Sequence, residues 1–242
     1  MKTNHQSNTT IDEIADKIYR ISTPVPPEAI PGGFTFNQYL VVDEQPMVYH
    51  TGPRKMFPFT SEAISAIIPV NKLRYIGFSH YEADECGALN NFLEAAPGAE
   101  PLCSTIAKMV SVDDIAIRPA RALADGEQLS LGEKVIQWID TPHFPHGWEC
   151  GHLFETTTKT LFCGDLFTQG GDKHEPLTGS DILDSSEEMR GALDYYSHTR
   201  HAHELADKLA MTSPRVLACM HGSAWQGDGA LLLRKLADRL AV

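Results

Sequence analysis

The stretch Ser79-His80-Tyr81-Glu82-Ala83-Asp84-Glu85-Cys86 places one imidazole and three carboxylates side by side. Gathered in one turn, such groups repel one another and lose solvation unless a cation holds them together. An apolar run, Arg74-Tyr75-Ile76-Gly77-Phe78, precedes them and reads as a buried strand; Gly87-Ala88-Leu89-Asn90-Asn91-Phe92-Leu93 follows and reads as the start of a helix. Corners of this kind are where α/β proteins keep their chemistry. Taken alone, the stretch also reads as a solvated acidic loop. Further metal-binding types stand near the ends of other apolar segments: His146, Asp165 after Thr160-Leu161-Phe162-Cys163-Gly164, and His221 after Val216-Leu217-Ala218-Cys219-Met220. Such strand ends are where parallel sheets bind ligands. The chemistry implied is metal binding by His80, Glu82, Asp84, His146, Asp165 and His221, with Glu85 beside them.

The elements that must position these groups alternate along the chain. Residues 1–10 are polar and are expected to fray. Strands are expected at 18–21, 38–42 and 47–50, and a helix at 61–68 with Ser61 as its cap. The Tyr75 strand, its helix, a brief strand at 101–103 and a helix from Ser104 to about 110 give βαβα order. Strands return at 115–118, 128–131 and 134–140, then at 151–155 and 160–163 after the loop Thr141-Pro142-His143-Phe144-Pro145-His146-Gly147-Trp148-Glu149. A long loop over 168–184, a helical region from Ser185 to about Ala210, a strand at 215–219 and a helix at 229–240 complete the chain. The half-pattern repeats, and two packed sheets with helices outside both is the simplest architecture for it.

A net charge of -12 argues against nucleic acid or an anionic membrane as the main partner, because both demand a basic face. No apolar h-region opens the chain and no run is long enough to span a membrane, so a cytoplasmic protein is expected. Five cysteines without a close CxxC pair fit a reducing compartment and read as small core residues, with thiolate ligation as the alternative. No P-loop or strand-GxGxxG-helix unit marks a nucleotide or flavin site.

The combined pattern resembles the metallo-β-lactamase fold, an α/β (α+β) four-layer αββα sandwich. Its dinuclear site is built from a His-x-[His/Glu]-x-Asp corner, a loop histidine, a bridging aspartate and a final histidine. Glu82 in the second position, the spacing from His146 to Asp165, and Cys219-Met220-His221-Gly222-Ser223-Ala224-Trp225 are more narrowly similar to the diiron domain of flavodiiron proteins and their stand-alone oxygen-binding relatives. The resemblance covers nearly the whole chain and implies one domain over 1–242. It implies that His80, Glu82 and His146 hold one iron, Asp84 and His221 the other, and that Asp165 bridges them. Flavodiiron sites usually read Asp-His where this chain reads Asp84-Glu85, which leaves open whether Glu85 replaces a ligand. The residues alone allow either His143 or His146 as the loop ligand; the spacing selects His146 and leaves His143 as a group lining the pocket.

The resemblance implies a non-haem diiron protein that binds, and can reduce, dioxygen or nitric oxide. Flavodiiron enzymes carry a flavodoxin domain after the diiron domain, and none is expected here. Electrons would then come from a separate flavoprotein or rubredoxin-like partner, or slow reduction would make the protein an oxygen sensor; a homodimer is compatible with either. A zinc hydrolase with a metal-bridging hydroxide is the competing expectation, and manganese an alternative to iron. Three imidazoles and at least three carboxylates favour iron or manganese over zinc. Glu82 and Glu85 also add negative charge beside the metals, lowering the Lewis acidity that hydrolysis needs.

Overall fold

Alternating side chains along the strands divide the apolar residues into three cores, and these define the layers of the computed structural model, which describes residues 1–240. The first sheet begins with antiparallel β1 (Thr10–Ala15), β2 (Ile18–Val25), β3 (Phe34–Val41) and β4 (Met47–Tyr49). It continues in parallel through β5 (Tyr75–Gly77), β6 (Glu100–Ser104) and β7 (Arg121–Leu123). The second sheet holds β8 (Gln128–Ser130), β9 (Val135–Asp140), β10 (Gly151–Glu155), β11 (Thr160–Gly164), β12 (Leu177–Thr178), β13 (Val216–Cys219) and β14 (Ala224–Gln226). Its spatial order is β12-β14-β13-β11-β10-β9-β8, with β11 and β13 parallel.

Tyr39, Val41, Tyr49 and Leu102 of the first sheet meet Trp138, Leu153, Phe162 and Ala218 of the second in the central core. Their neighbours Leu40 and Val48 point the other way, onto α1 (Phe57–Ser65) and the layer formed by α2 (Ala83–Cys86) and α3 (Leu89–Ala95). The short α4 (Thr105–Ala107) and α5 (Asp113–Ile115) follow, joined by one π turn. On the far side, Leu161, Cys163, Leu217 and Cys219 pack against α6 (Leu183–Leu193), α7 (Ala202–Ala210) and α8 (Gly229–Leu240). The result is the four-layer αββα sandwich expected. Each fully buried large side chain contributes on the order of 1.5–3 kcal/mol. All five cysteines are buried and free, as core residues would be. Among the described residues no helix is long and apolar enough to cross a membrane.

Several local expectations need correction. Residues 1–9 are not frayed: Asn4 Oδ1 accepts from the Gln6 and Ser7 amides, and the Met1 ammonium donates to the Ile11 carbonyl. The stretch Pro24-Val25-Pro26-Pro27 reads as loop from its prolines, yet Pro24 and Val25 lie inside β2; β1 begins only at Thr10, opposite Ser22, so the missing N–H of Pro24 costs no ladder bond. α1 starts four residues before Ser61, with Pro58 in its first turn, and the Ser61 hydroxyl donates back to the Pro58 carbonyl rather than capping. Residues 115–118 form no strand. There Asn90 Oδ1 accepts from the Ile117 amide, and the Arg118 guanidinium donates to the carbonyls of Leu93, Ala96 and Ala99. Because Arg118 closes the α3 C-terminus, Arg118→Met, which keeps the stem but removes the donors, is expected to lower the urea-unfolding free energy by about 1–3 kcal/mol. An unchanged midpoint would show that water replaces the guanidinium.

The long helical region is two helices. Asp194 takes a left-handed conformation (φ 50°) and ends α6, and the segment between α6 and α7 carries Tyr195 and Tyr196 inward. That break brings Tyr195 to the candidate site.

Candidate metal centre

Three strand ends and two loops converge at one edge of the sandwich. His80 follows β5 after a short bend, Glu82 precedes α2, and Asp84 and Glu85 lie in the first turn of α2. His146 comes from the β9–β10 loop, Asp165 follows β11 directly, and His221 lies just beyond β13. The seven side chains fall into two groups, His80, Glu82, His146 and Asp165 on one side and Asp84, Glu85 and His221 on the other.

Asp165 links the two. Its Oδ2 lies 3.5 Å from His80 Nε2 and 3.3 Å from His146 Nε2, while its Oδ1 lies 3.3 Å from His221 Nε2. On the first side Glu82 Oε2 sits 3.1 Å from His80 Nε2 and 3.0 Å from His146 Nε2. On the second, Asp84 Oδ2 is 3.4 Å from His221 Nε2. Every histidine thus turns Nε2 toward carboxylate oxygens. His80, Glu85, Asp165 and His221 are buried, whereas the Glu82 side chain is 52% exposed, so the cluster opens to solvent on the Glu82 side.

Electrostatics follow this arrangement. Hydrogen bonds from His146 and then His80 hold the Glu82 carboxyl down at about 2. Burial pushes His221 down, but hydrogen bonds to Asp165 and Asp84 outweigh it and raise the imidazole to about 9. For Asp165 burial pushes up, and the bond from His221 with the charges of the three histidines carries it far below the usual carboxylate range. Burial, then the charges of Asp165 and Asp84, drive Glu85 well above that range. Glu85 is 0% exposed and neither of its carboxyl oxygens has a hydrogen-bond partner. An orphaned buried carboxylate is costly without a cation. Four carboxylates and three imidazoles in this arrangement fit two divalent ions: the charges balance, and Glu85 gains a partner.

Residues that the motifs did not reveal hold the ligands in place. His221 Nδ1 donates to the Thr35 carbonyl at 2.7 Å, which turns Nε2 inward. Asn37 and Arg20 donate to the Gly222 carbonyl, and Gly222 N donates to Thr35 Oγ1. Gly222 has φ 91°, and a Cβ there would sit 2.5 Å from the Gln169 side chain, so the turn after His221 requires glycine. Phe34 stacks on His221 at 4.3 Å between centroids, and Tyr195 sits edge-on to His146 at 6.1 Å. Of these only Gly222 stands beside a ligand in sequence; the period-2 alternation of β3 turns Thr35, Asn37 and Tyr39 to one face, toward the turn around His221.

His143 lies outside the cluster. Its side chain is exposed, its backbone is left-handed (φ 64°), and it lines a separate small cavity with Phe144, Tyr196 and His198. His152 is structural: Nδ1 pairs with Thr141 Oγ1, and Nε2–H donates to the Cys163 carbonyl. His198, His201 and His203 are exposed, while His174 is half-buried and donates to the Gly170 carbonyl. Of the aromatics that flank the ligands in sequence, Tyr81 and Trp148 are exposed and Phe144 is buried.

Two mixed sheets flanked by helices define the metallo-β-lactamase-like class, and the solved flavodiiron cores share this architecture. The profile of the ODP family of β-lactamases matches residues 34–222, and the chain belongs to that family. It is 26% identical over 172 residues to the rubredoxin-oxygen oxidoreductase of Megalodesulfovibrio gigas, covering 69% of this chain and 42% of that protein. It is 22% identical over 218 residues to the anaerobic nitric oxide reductase flavorubredoxin of Aliivibrio salmonicida, covering 85% and 43%. The chain thus spans less than half the length of these relatives. Among solved structures, a point variant of the flavo di-iron protein from Thermotoga maritima superposes with a TM-score of 0.83 at 22% identity, covering 96% of this chain and 61% of that one. The rubredoxin oxygen:oxidoreductase of Desulfovibrio gigas superposes with a TM-score of 0.80 at 19% identity, covering 96% and 62%.

Proposed function

We propose that the chain is a non-haem diiron protein that binds dioxygen or nitric oxide and reduces it with electrons from a rubredoxin- or flavin-containing donor. The observation that carries this reading is Asp165, whose two oxygens face two separate groups of ligand-type side chains. His80, Glu82 and His146 would hold one ion, Asp84 and His221 the other, and Asp165 would bridge them, with Glu85 placed to join the second group. The seven donors are three nitrogens and four carboxylates, a hard set that favours iron, or manganese, over zinc. When bound, two ferrous ions would supply electrons to the gas. The relatives named as rubredoxin-oxygen oxidoreductase and nitric oxide reductase flavorubredoxin support dioxygen or nitric oxide as substrate and a rubredoxin- or flavin-containing donor.

The chain's own residues supply orientation and access. Phe34 and Phe36 cover the His221 side, and Tyr195 closes over His146 while its hydroxyl donates to the Asp165 carbonyl. The exposed Glu82 edge leaves a way in for a diatomic molecule.

Metal analysis of protein prepared without oxygen, with absorption spectra before and after air, tests the reading. About two irons per chain and an oxygen-dependent near-ultraviolet band are expected. Two zincs with turnover of an ester or lactone would replace it with a hydrolase. His143→Ala, in the exposed loop, is expected to keep full metal content; metal loss would show that the β9–β10 loop presents the other histidine.

A further inference from the structure

We infer that His50, acting through Ser79, is a positioning residue that fixes the tautomer and donor strength of His80. This rests on the reading of His80 as a metal ligand. His50 lies just past β4, far in sequence from the ligand corner, and is 1% exposed in a left-handed conformation (φ 61°). Its Nε2 is 3.0 Å from Ser79 Oγ, and Ser79 Oγ is 2.9 Å from His80 Nδ1, so the three side chains form one buried line.

The direction of that line follows from counting protons. Ser79 has one hydroxyl hydrogen and stands between two ring nitrogens, so it donates to one and accepts from the other. The Ser79 backbone N–H also points at His50 Nε2, at 3.4 Å, which identifies Nε2 as a lone pair. The hydroxyl therefore donates to His50 and accepts from His80 Nδ1–H. His80 thus keeps its hydrogen on Nδ1, and Nε2, which donates to Glu82 while no cation is bound, faces Glu82, Glu85 and Asp165 at 3.1, 3.8 and 3.5 Å and is free to give its lone pair to an ion there. That is the tautomer a metal ligand needs.

The surroundings keep the line in place. Burial holds the His50 imidazole neutral, so it can accept. Gly164 has φ 51°, and a Cβ there would lie 2.9 Å from Ser79 Oγ, so the strand end before Asp165 leaves room only for the serine. Tyr49 packs against the His50 ring at 4.5 Å between centroids. A hydroxyl that accepts from one ring while donating to another is a stronger acceptor than a lone one, and it raises the basicity of the ligand nitrogen.

The test compares the wild type with Ser79→Ala, His50→Leu and His50→Gln, the last keeping an acceptor oxygen near the Nε2 position. In metal-free protein, ring 15N shifts are expected to show His80 with hydrogen on Nδ1, moving toward the Nε2–H form in Ser79→Ala and His50→Leu and back in His50→Gln. Cobalt(II) titrations are expected to show affinity about 10–100-fold weaker in the first two and largely restored in the third. The iron-loaded forms should follow the same order in reduction potential, highest where the acceptor is lost. Unchanged 15N shifts in folded Ser79→Ala and His50→Leu, or a His50→Gln variant that folds but does not recover, overturns the assignment. Should the wild type bind no metal, the diiron reading falls, while the 15N shifts still decide the role of His50.

Discussion

Asp165→Ala is expected to abolish two-metal loading, leaving at most one iron per chain after anaerobic reconstitution. The carboxylate is the only group whose oxygens approach His80 and His146 on one side and His221 on the other, among the described residues. Removing it takes a ligand from both ions at once, and it takes away the negative charge that allows two cations to sit at the roughly 3.5–4 Å separation of dinuclear sites. Asp165→Asn separates charge from shape. It keeps the volume and one acceptor oxygen, so it should keep one ion and lose the second. Metal analysis with unfolding curves for both variants checks this. Two irons retained in Asp165→Ala would mean that the two groups are independent sites, and the bridging role would be wrong.

The difference between what could and could not be read in the sequence has a physical pattern. His80, Glu82, Asp84, His146, Asp165 and His221 are legible because charged or ligating types at the ends of apolar strands are improbable unless something compensates them. The sandwich is legible because β3, β9 and β11 alternate or run apolar while helices lie between the repeats. Glu85 is legible as a candidate but its burial is not. A carboxylate in the first turn of a helix is ordinary on a surface, and only the contact of α2 with the strand ends shows it to be fully buried. His50, Thr35, Asn37 and Tyr195 act across tertiary contacts with no local signature. The break at Asp194 carries no Gly or Pro to announce it, so two helices read as one. Ile115-Ala116-Ile117 has strand-like propensity, but Arg118 and Asn90 bind that segment to α3 instead.

Without metal, the chain is expected to lose stability as pH rises from about 6.5 to about 9, and divalent metal is expected to remove that loss. His221 is raised from its ordinary 6.5 to about 9 because, against the penalty of burial, Asp165 and Asp84 hold its extra proton in the folded state only. A raised group of this kind gives stability that is complete below its unfolded value and vanishes as pH passes its folded value, here roughly 3 kcal/mol at most. His146 is raised too, by Glu82 and Asp165 against burial, and adds in the same direction. Glu85 also has that sign: burial keeps it protonated when folded, whereas the unfolded chain releases the proton above about 4.5. Glu82, held at about 2, acts in the opposite sense, but its contribution is present above 4.5 and is lost only as pH falls toward 2, outside this window. A bound cation takes the place of the protons on His221 and Glu85, so metal affinity should rise over the same range as protons are released. Urea midpoints in chelator at pH 6, 7.5 and 9, repeated with manganese(II), would show the two opposite trends. A chelated protein whose midpoint is flat or rises with pH would mean that Asp165 and Asp84 do not hold a proton on His221, and that the cluster is neutralised in some other way.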